Sequence, residues 1–291
     1  VVLTEDELRF LAWGGDGKVK LWDINGYEAL QVWDHNTLVF GARFNDDESR
    51  VLSWSFDGSV RILDVTKDNP QRVWKHGDDA RGALFNHDET QILTWGGNGL
   101  IKLWDTTKDE PLRVWNDGNS VSDALFSHDE SRILSWSDAG VLKLWDRSQS
   151  EPLQVWKHDV PFYDVMFTGG DSRVLGGSYD GTLKLWDVTK AEPLKVWRQG
   201  NSLTGARLMK EGARTLTWGR EVALWNTSPA ILDLTPTQRI MELEVRSASR
   251  LDSSGQLSRM KSSDWGALVR SSEYSAIRER FKAKKNRLSS K

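Results

Sequence analysis

Residues 181–187 read Gly181-Thr182-Leu183-Lys184-Leu185-Trp186-Asp187. Close relatives of this stretch recur along the chain: KVKLWD at 18–23, SVRILD at 59–64, LIKLWD at 100–105, VLKLWD at 141–146 and EVALWN at 221–226. The aligned positions are Trp22, Leu63, Trp104, Trp145, Trp186 and Trp225, so the spacing is 41 four times and then 39. A period of this length, sustained over most of a chain, is the signature of a repeat architecture.

Each period divides into four short apolar runs. In the second period they fall at 38–44, 50–55, 59–64 and 70–75, each rich in Val, Ile, Leu, Phe or Trp. Turn residues separate most of them, such as Asn45-Asp46-Asp47-Glu48 and Asp57-Gly58. An Asp-Gly or Asn-Gly pair between two such runs signals a tight hairpin, because Gly accepts a positive φ without steric cost. Asp16-Gly17, Asn98-Gly99 and Asp180-Gly181 repeat the signal. Four short antiparallel strands per 40–45 residues describe one blade of an all-β propeller.

Composition narrows the chemistry. The 291 residues contain no Cys, which removes disulfides, thiolate catalysis and Cys-ligated zinc and suits a reducing, cytoplasmic setting. No run approaches the ~18 apolar residues of a membrane span. The net charge of −3 conceals an asymmetry: residues 235–291 carry +7 and residues 1–234 carry −10. An acidic body argues against a nucleic-acid groove there, so the basic end is the one candidate for nucleic acid or an acidic surface. Of the 16 Trp residues, all but Trp265 lie before residue 226, most at repeat-locked positions where packing is their expected role.

The repeat resembles the WD-repeat (Trp-Asp repeat) β-propellers. The Trp-Asp pair stands at Trp22-Asp23, Trp104-Asp105, Trp145-Asp146 and Trp186-Asp187, with Leu63-Asp64 and Trp225-Asn226 as variants. The family's Gly-His pair survives only through its His, at His35, His76 and His158, while Asn116-Asp117 and Arg198-Gln199 lack it. The resemblance implies blades at about 1–37, 38–78, 79–119, 120–160, 161–201 and 202–234. That makes six, the first clipped, with seven expected in an intact propeller. The stretch ELEVRSASRLDSSGQL at 242–257 and the following Asp264-Trp265 look like the tail after the propeller in large bacterial proteins that join a NACHT-type or related ATPase to WD repeats. Residues 235–291 are expected to form a small, mostly helical extension with a basic end. A cap at Thr235 with Pro236 behind it supports this reading, and residues 251–257 read as a small hairpin or loop.

Two constellations could carry function. His158, Ser178, Asp180 and Trp186 include the residue types of a hydrolase triad. The resemblance implies instead a structural hydrogen-bonded tetrad, and nothing indicates an oxyanion hole; a propeller hydrolase is the weaker alternative. His87 and His128 occupy equivalent turns of adjacent blades and read as solvated turn residues rather than metal ligands. No cofactor or metal signature is present. The second constellation is the rim of the loops between second and third strands and of the loops entering each blade, which WD-repeat proteins commonly turn to partners. Mapped here, it gathers large side chains in the second blade (Leu38, Phe40, Phe56) and the fifth (Tyr163, Tyr179), with Arg81 and Arg220 in others. The expected function is a non-enzymatic scaffold or sensor for protein partners, part of a larger signalling or ATPase-linked polypeptide. The alternative is nucleic-acid or acidic-surface binding through the tail.

Overall fold

The structure, a computed structural model, describes residues 1–199, 203–209, 214–219, 222–226, 249–251 and 257–259. The chain divides into two compact units, Val1–Gly205 with Gly219–Glu221, and Ala206–Trp218 with Val222–Lys291. The first unit holds five four-stranded antiparallel sheets, in each of which consecutive strands pair. The second sheet is representative, with strands Val39–Phe44, Arg50–Ser55, Ser59–Asp64 and Arg72–Lys75. In the first sheet the opening strand is short, Val2–Leu3. A sixth sheet has three described strands, Leu203–Met209, Arg214–Gly219 and Val222–Asn226. Its expected outer strand at 231–234 and the expected helices of 235–291 lie outside the described residues. Within that tail, Ser249–Leu251 pairs with Leu257–Arg259, which makes the expected small hairpin.

The period-2 alternation of each strand gives every sheet two apolar faces. In Val141–Asp146, Leu142 and Leu144 are buried toward the following sheet, and Trp145 toward the preceding one. The same division recurs at each boundary of the first unit. Leu11, Val19, Leu21 and Trp33 of the first sheet pack with Val39, Ala42, Val51 and Leu63 of the second. Four such two-sheet cores therefore replace one central core. Gly17, Gly58, Gly99, Gly140 and Gly181 all adopt positive φ in the hairpin turns. The Asp that follows each third-strand Trp or Leu closes the next turn. Its Oδ1 accepts the N–H two residues on at Asp23, Asp64, Asp105, Asp146 and Asp187.

Three hydrogen-bond devices bind neighbouring sheets. First, the outer-strand indoles of Trp33, Trp74, Trp115 and Trp156 donate to the carbonyls of Lys67, Lys108, Gln149 and Lys190, at 2.8–2.9 Å. All four rings are almost fully buried. Second, Trp13 and Trp54 of the second strands donate to the carbonyls of Phe40 and Arg81. Both rings pack against the core between their own sheet and the next, and the Trp54 ring also lies over Gly41 of its own first strand. A Cβ at Gly41 would stand 2.1 Å from the Trp54 ring, so Gly is required there. Third, in the second to fifth sheets an acidic residue in the turn after the first strand reaches back to the preceding sheet. Glu89 accepts from Asp46 N–H and Asn45 Nδ2 at 2.9 Å and pairs with Arg50. Glu48, Glu130 and Asp171 act alike on residues 5, 87 and 128. These acids hold positive φ, between 55° and 61°, an uncommon conformation for residues with a Cβ.

Candidate functional site

The rim is built by a repeated irregularity. In the second, fourth and fifth sheets the first strand shifts register at its second residue. Val39 pairs with Ser55 but Gly41 with Trp54, Val121 with Ser137 but Asp123 with Trp136, and Phe162 with Ser178 but Asp164 with Gly177. Phe40, Ser122 and Tyr163 are the extra residues. A bulge of this kind redirects a side chain out of the ladder, which explains how large rings come to be exposed at strand positions. The hairpin turn of the same sheet supplies a second ring. Phe40 and Phe56 meet edge to face at 6.0 Å, and Tyr163 and Tyr179 do so at 5.4 Å. Both pairs are two-fifths to three-fifths exposed, as is Leu38. They occupy identical repeat positions, three periods apart.

Between them, the third and fourth sheets carry charge. Arg81 pairs with Asp79 at 3.1 Å, reaches Asp138 at 3.7 Å in the next sheet, and bonds the Ser120 hydroxyl. The rim is therefore apolar at two sheets and ionic between them. Arg220 lies outside the described residues.

Below this rim is a cleft of about 350 Å³ walled by Trp54, Trp95 and Trp136, with Arg43, Asp123 and Asp164 on its first-strand side. Asp123 is exposed toward the cleft, yet desolvation by the surrounding walls, reinforced by the charge of Asp164, pushes its carboxyl up to about 6, against the lowering effects of the Ala124 N–H and Arg43. Sequence reasoning missed this group, although a first-strand acid at both 123 and 164 is visible in the repeat.

The other constellation is joined only in part. Ser178 Oγ lies 2.9 Å from His158 Nε2 and donates to Asp180 Oδ1 at 2.5 Å; His158 Nε2 is also 3.2 Å from Asp180 Oδ2. His158 Nδ1 faces the Lys184 ammonium at 2.9 Å. An ammonium only donates, so Nδ1 must accept and the proton sits on Nε2. A nitrogen that already carries its proton cannot take one from Ser178, and Ser178 is itself buried. Trp186 stands apart: its ring packs edge to face on Phe162, with no hydrogen bond to the other three.

In the neighbouring sheets the indole partner is a hydroxyl two positions earlier than Ser178. Trp104 donates to Thr94, Trp145 to Ser135 and Trp225 to Thr217, at 2.7–2.9 Å. The fifth sheet has Gly176 there, which explains why Trp186 is not tied in. The same hydroxyls receive the buried group from the entering loop: His35 Nε2 meets Ser53, His76 Nδ1 meets Thr94, and Asp117 Oδ2 accepts from Ser135. Asp117 thus stands in for the absent His. Its carboxyl is raised by burial, countered by Ser135 and Lys143. Burial holds His35 and His76 down at about 4. His87 and His128 are exposed turn residues in separate sheets. Among the described residues no cluster of His, Asp and Glu is arranged to hold a metal, and no helix is long and apolar enough to cross a membrane.

Comparison with known proteins agrees with this architecture. The family "WD domain, G-beta repeat" matches residues 150–187, the outer strand of the fourth sheet through the third strand of the fifth. Among solved structures, the crystal structure of the computationally designed Ika8 protein is similar, with a TM-score of 0.65 and 20% identity over 77% of this chain and 70% of that one. No curated protein sequence matches the chain. The repeated four-stranded antiparallel sheets, the WD-repeat match and the likeness of fold together support a WD-repeat β-propeller.

Proposed function

We propose that the chain is a non-catalytic scaffold whose rim holds a protein partner, within a larger signalling or ATPase-linked polypeptide of a reducing, cytoplasmic compartment. The observation that carries this reading is the pair of exposed ring couples, Phe40 with Phe56 and Tyr163 with Tyr179, at the same repeat positions of two sheets. Exposed aromatic side chains are among the types that dominate interface energetics. Arg81, already neutralised by Asp79 and Asp138, contributes register rather than net charge. WD repeats generally serve protein–protein interaction, and the buried Ser178 network fits a structural role.

The test is a Phe56→Ala, Tyr179→Ala double variant of the full chain, used as bait beside the wild type. Loss of the wild-type partner from a variant with unchanged circular dichroism supports the rim. Capture that survives moves the site elsewhere, with the basic tail as the first place to look through its salt dependence.

A further inference from the structure

We propose that the cleft below the rim is a pocket for a primary carboxamide, an Asn or Gln side chain of the protein that the rim holds. The identity of the donor protein rests on the function proposed above; the pocket stands on the geometry of the cleft. Every residue that lines it belongs to the first unit, so its walls form within that unit. Arg81 and Ser122 belong both to the rim and to the lining, so a side chain projecting from a rim-bound segment enters here. The first observation is an indole without an acceptor. Trp95 is 5% exposed, and its Nε1 is buried with no hydrogen-bond partner. That N–H lies at the cleft: a Cβ on Gly82, a lining residue, would stand 2.5 Å from Nε1. In the two preceding sheets the indole at the same repeat position donates to a backbone carbonyl, Trp13 to Phe40 at 3.1 Å and Trp54 to Arg81 at 2.9 Å. The position calls for a carbonyl oxygen, and at Trp95 no described residue supplies one. A buried donor without an acceptor is costly, so a ligand oxygen that satisfies it recovers that cost on binding.

The second observation is the company that this oxygen would keep. Arg43, also in the lining, senses the charge of Asp123 but forms no hydrogen bond or ion pair among the described residues. Asp123 turns Oδ1 to the Ala124 N–H at 2.8 Å, which leaves Oδ2 without a partner among them. Donors and an acceptor therefore share the same walls. A ligand carboxylate would satisfy Trp95 and Arg43, but it adds a negative charge where desolvation and the Asp164 charge already hold the Asp123 carboxyl up. An ammonium or guanidinium has no acceptor for the indole, and it meets Arg43. A hydroxyl has a single proton and no carbonyl oxygen. A primary carboxamide is neutral, accepts through its oxygen and donates through its NH2. It serves Trp95 and Arg43 on one side and Asp123 on the other, while the Trp54 and Trp136 walls cover its methylenes.

The probe is propionamide, titrated into the full chain and followed through the indole N–H signals in proton–nitrogen NMR spectra, with propionate, propylammonium and propanol alongside. Propionamide should shift the Trp95 signal saturably, with a Kd on the order of 10 mM for so small a fragment. The Trp13 signal, whose N–H already has its carbonyl, should stay in place. The other three fragments should bind at least ~5-fold more weakly, and Trp95→Phe should weaken propionamide by ~5–10-fold, the equivalent of one hydrogen bond. Arg43→Met should weaken it too, and it carries the comparison if Trp95→Phe does not fold. Fragment binding reads the pocket and partner capture reads the rim, so the two can fail separately. In capture, either cleft variant should retain less of the wild-type partner. No saturable shift, or tighter binding of any other fragment, overturns the proposal. So does a Trp95 N–H whose temperature coefficient in the free chain already matches that of the bonded Trp54, because the chain then supplies the acceptor itself. Propionamide binding with capture untouched by both cleft variants overturns the assignment to the partner. Capture that survives Phe56→Ala with Tyr179→Ala but not the cleft variants refutes the rim and supports the pocket.

Discussion

The Trp74 indole donates to the carbonyl of Lys108, one sheet further along, at 2.8 Å, and its ring is 3% exposed. The bond recurs with the repeat at three other boundaries, so the conspicuous outer-strand Trp series joins apolar burial to a directional contact. Trp115 is the most buried of the four at 1%. Trp115→Ala should destabilise by ~3–5 kcal/mol in urea titrations, the range for a truncated core aromatic. Trp115→Phe should cost less, and the residue of its effect is the carbonyl of Gln149 left without its donor. Trp54→Ala, at a partly buried ring, should cost clearly less than Trp115→Ala; equal losses would contradict the burial described.

The Glu89 clasp is testable as a cycle. Its carboxylate serves Asp46 N–H, Asn45 and Arg50 together. Glu89→Ala and Arg50→Ala should each destabilise by about 1–3 kcal/mol, with a coupling of at least ~0.5 kcal/mol in the double variant. Glu89→Gly should be milder than Glu89→Ala by up to about 1 kcal/mol, because Gly relieves the positive φ while losing the same bonds. Chemical denaturation of these four variants beside the wild type measures both.

Lys143 and Asp117 form a partly buried pair in which the carboxylate side chain is fully buried and the ammonium also bonds the Asp117 carbonyl. Lys143→Met should cost about 3–5 kcal/mol, because it strands a buried carboxyl. Adding Asp117→Asn should restore much of the loss. No recovery in the double variant would show that Lys143 acts through packing on the Trp145 ring instead, where its Nζ lies 5.4 Å from the centroid.

The pH dependence has a sign. Burial first, and then the Lys102 charge, hold His76 at about 4 instead of 6.5. Between these values the unfolded chain binds the proton and the folded chain does not, so the stability His76 contributes is complete above pH ~6.5 and is lost as pH falls toward ~4. The difference in unfolding free energy between wild type and His76→Gln should therefore shrink on acidification, by up to about 3 kcal/mol. A difference that stays constant from pH 7 to pH 4 would contradict a neutral buried imidazole.

The sheets were legible because they rest on short-range chemistry repeated in register: alternating apolar residues, Asp-Gly turns and the Trp-Asp pair. The rim residues were legible as positions, since Phe40 and Phe56 stand in the repeat where Tyr163 and Tyr179 stand. Their edge-to-face pairing and the bulges that expose them were not, because a bulge depends on pairing register rather than composition. The acids at 48, 89, 130 and 171 read as ordinary turn residues; only contact with the preceding sheet shows that they are clasps. Asp117 was passed over because a carboxylate does not look like a histidine, although with Lys143 beside it the group fills the same buried place. Ser178 drew attention by its residue type, while the hydroxyls that meet the indoles sit two places earlier.

The clasps and indole bonds each cross one boundary and, among the described residues, none reaches past an adjacent sheet. Within residues 8–196, any 41-residue stretch, wherever it is cut, contains one indole donor pointing forward and one carboxylate pointing back. Duplication or loss of such a stretch during evolution leaves every surviving junction with both halves of its chemistry. Blade number in such a chain can therefore change by recombination without new interactions having to arise first.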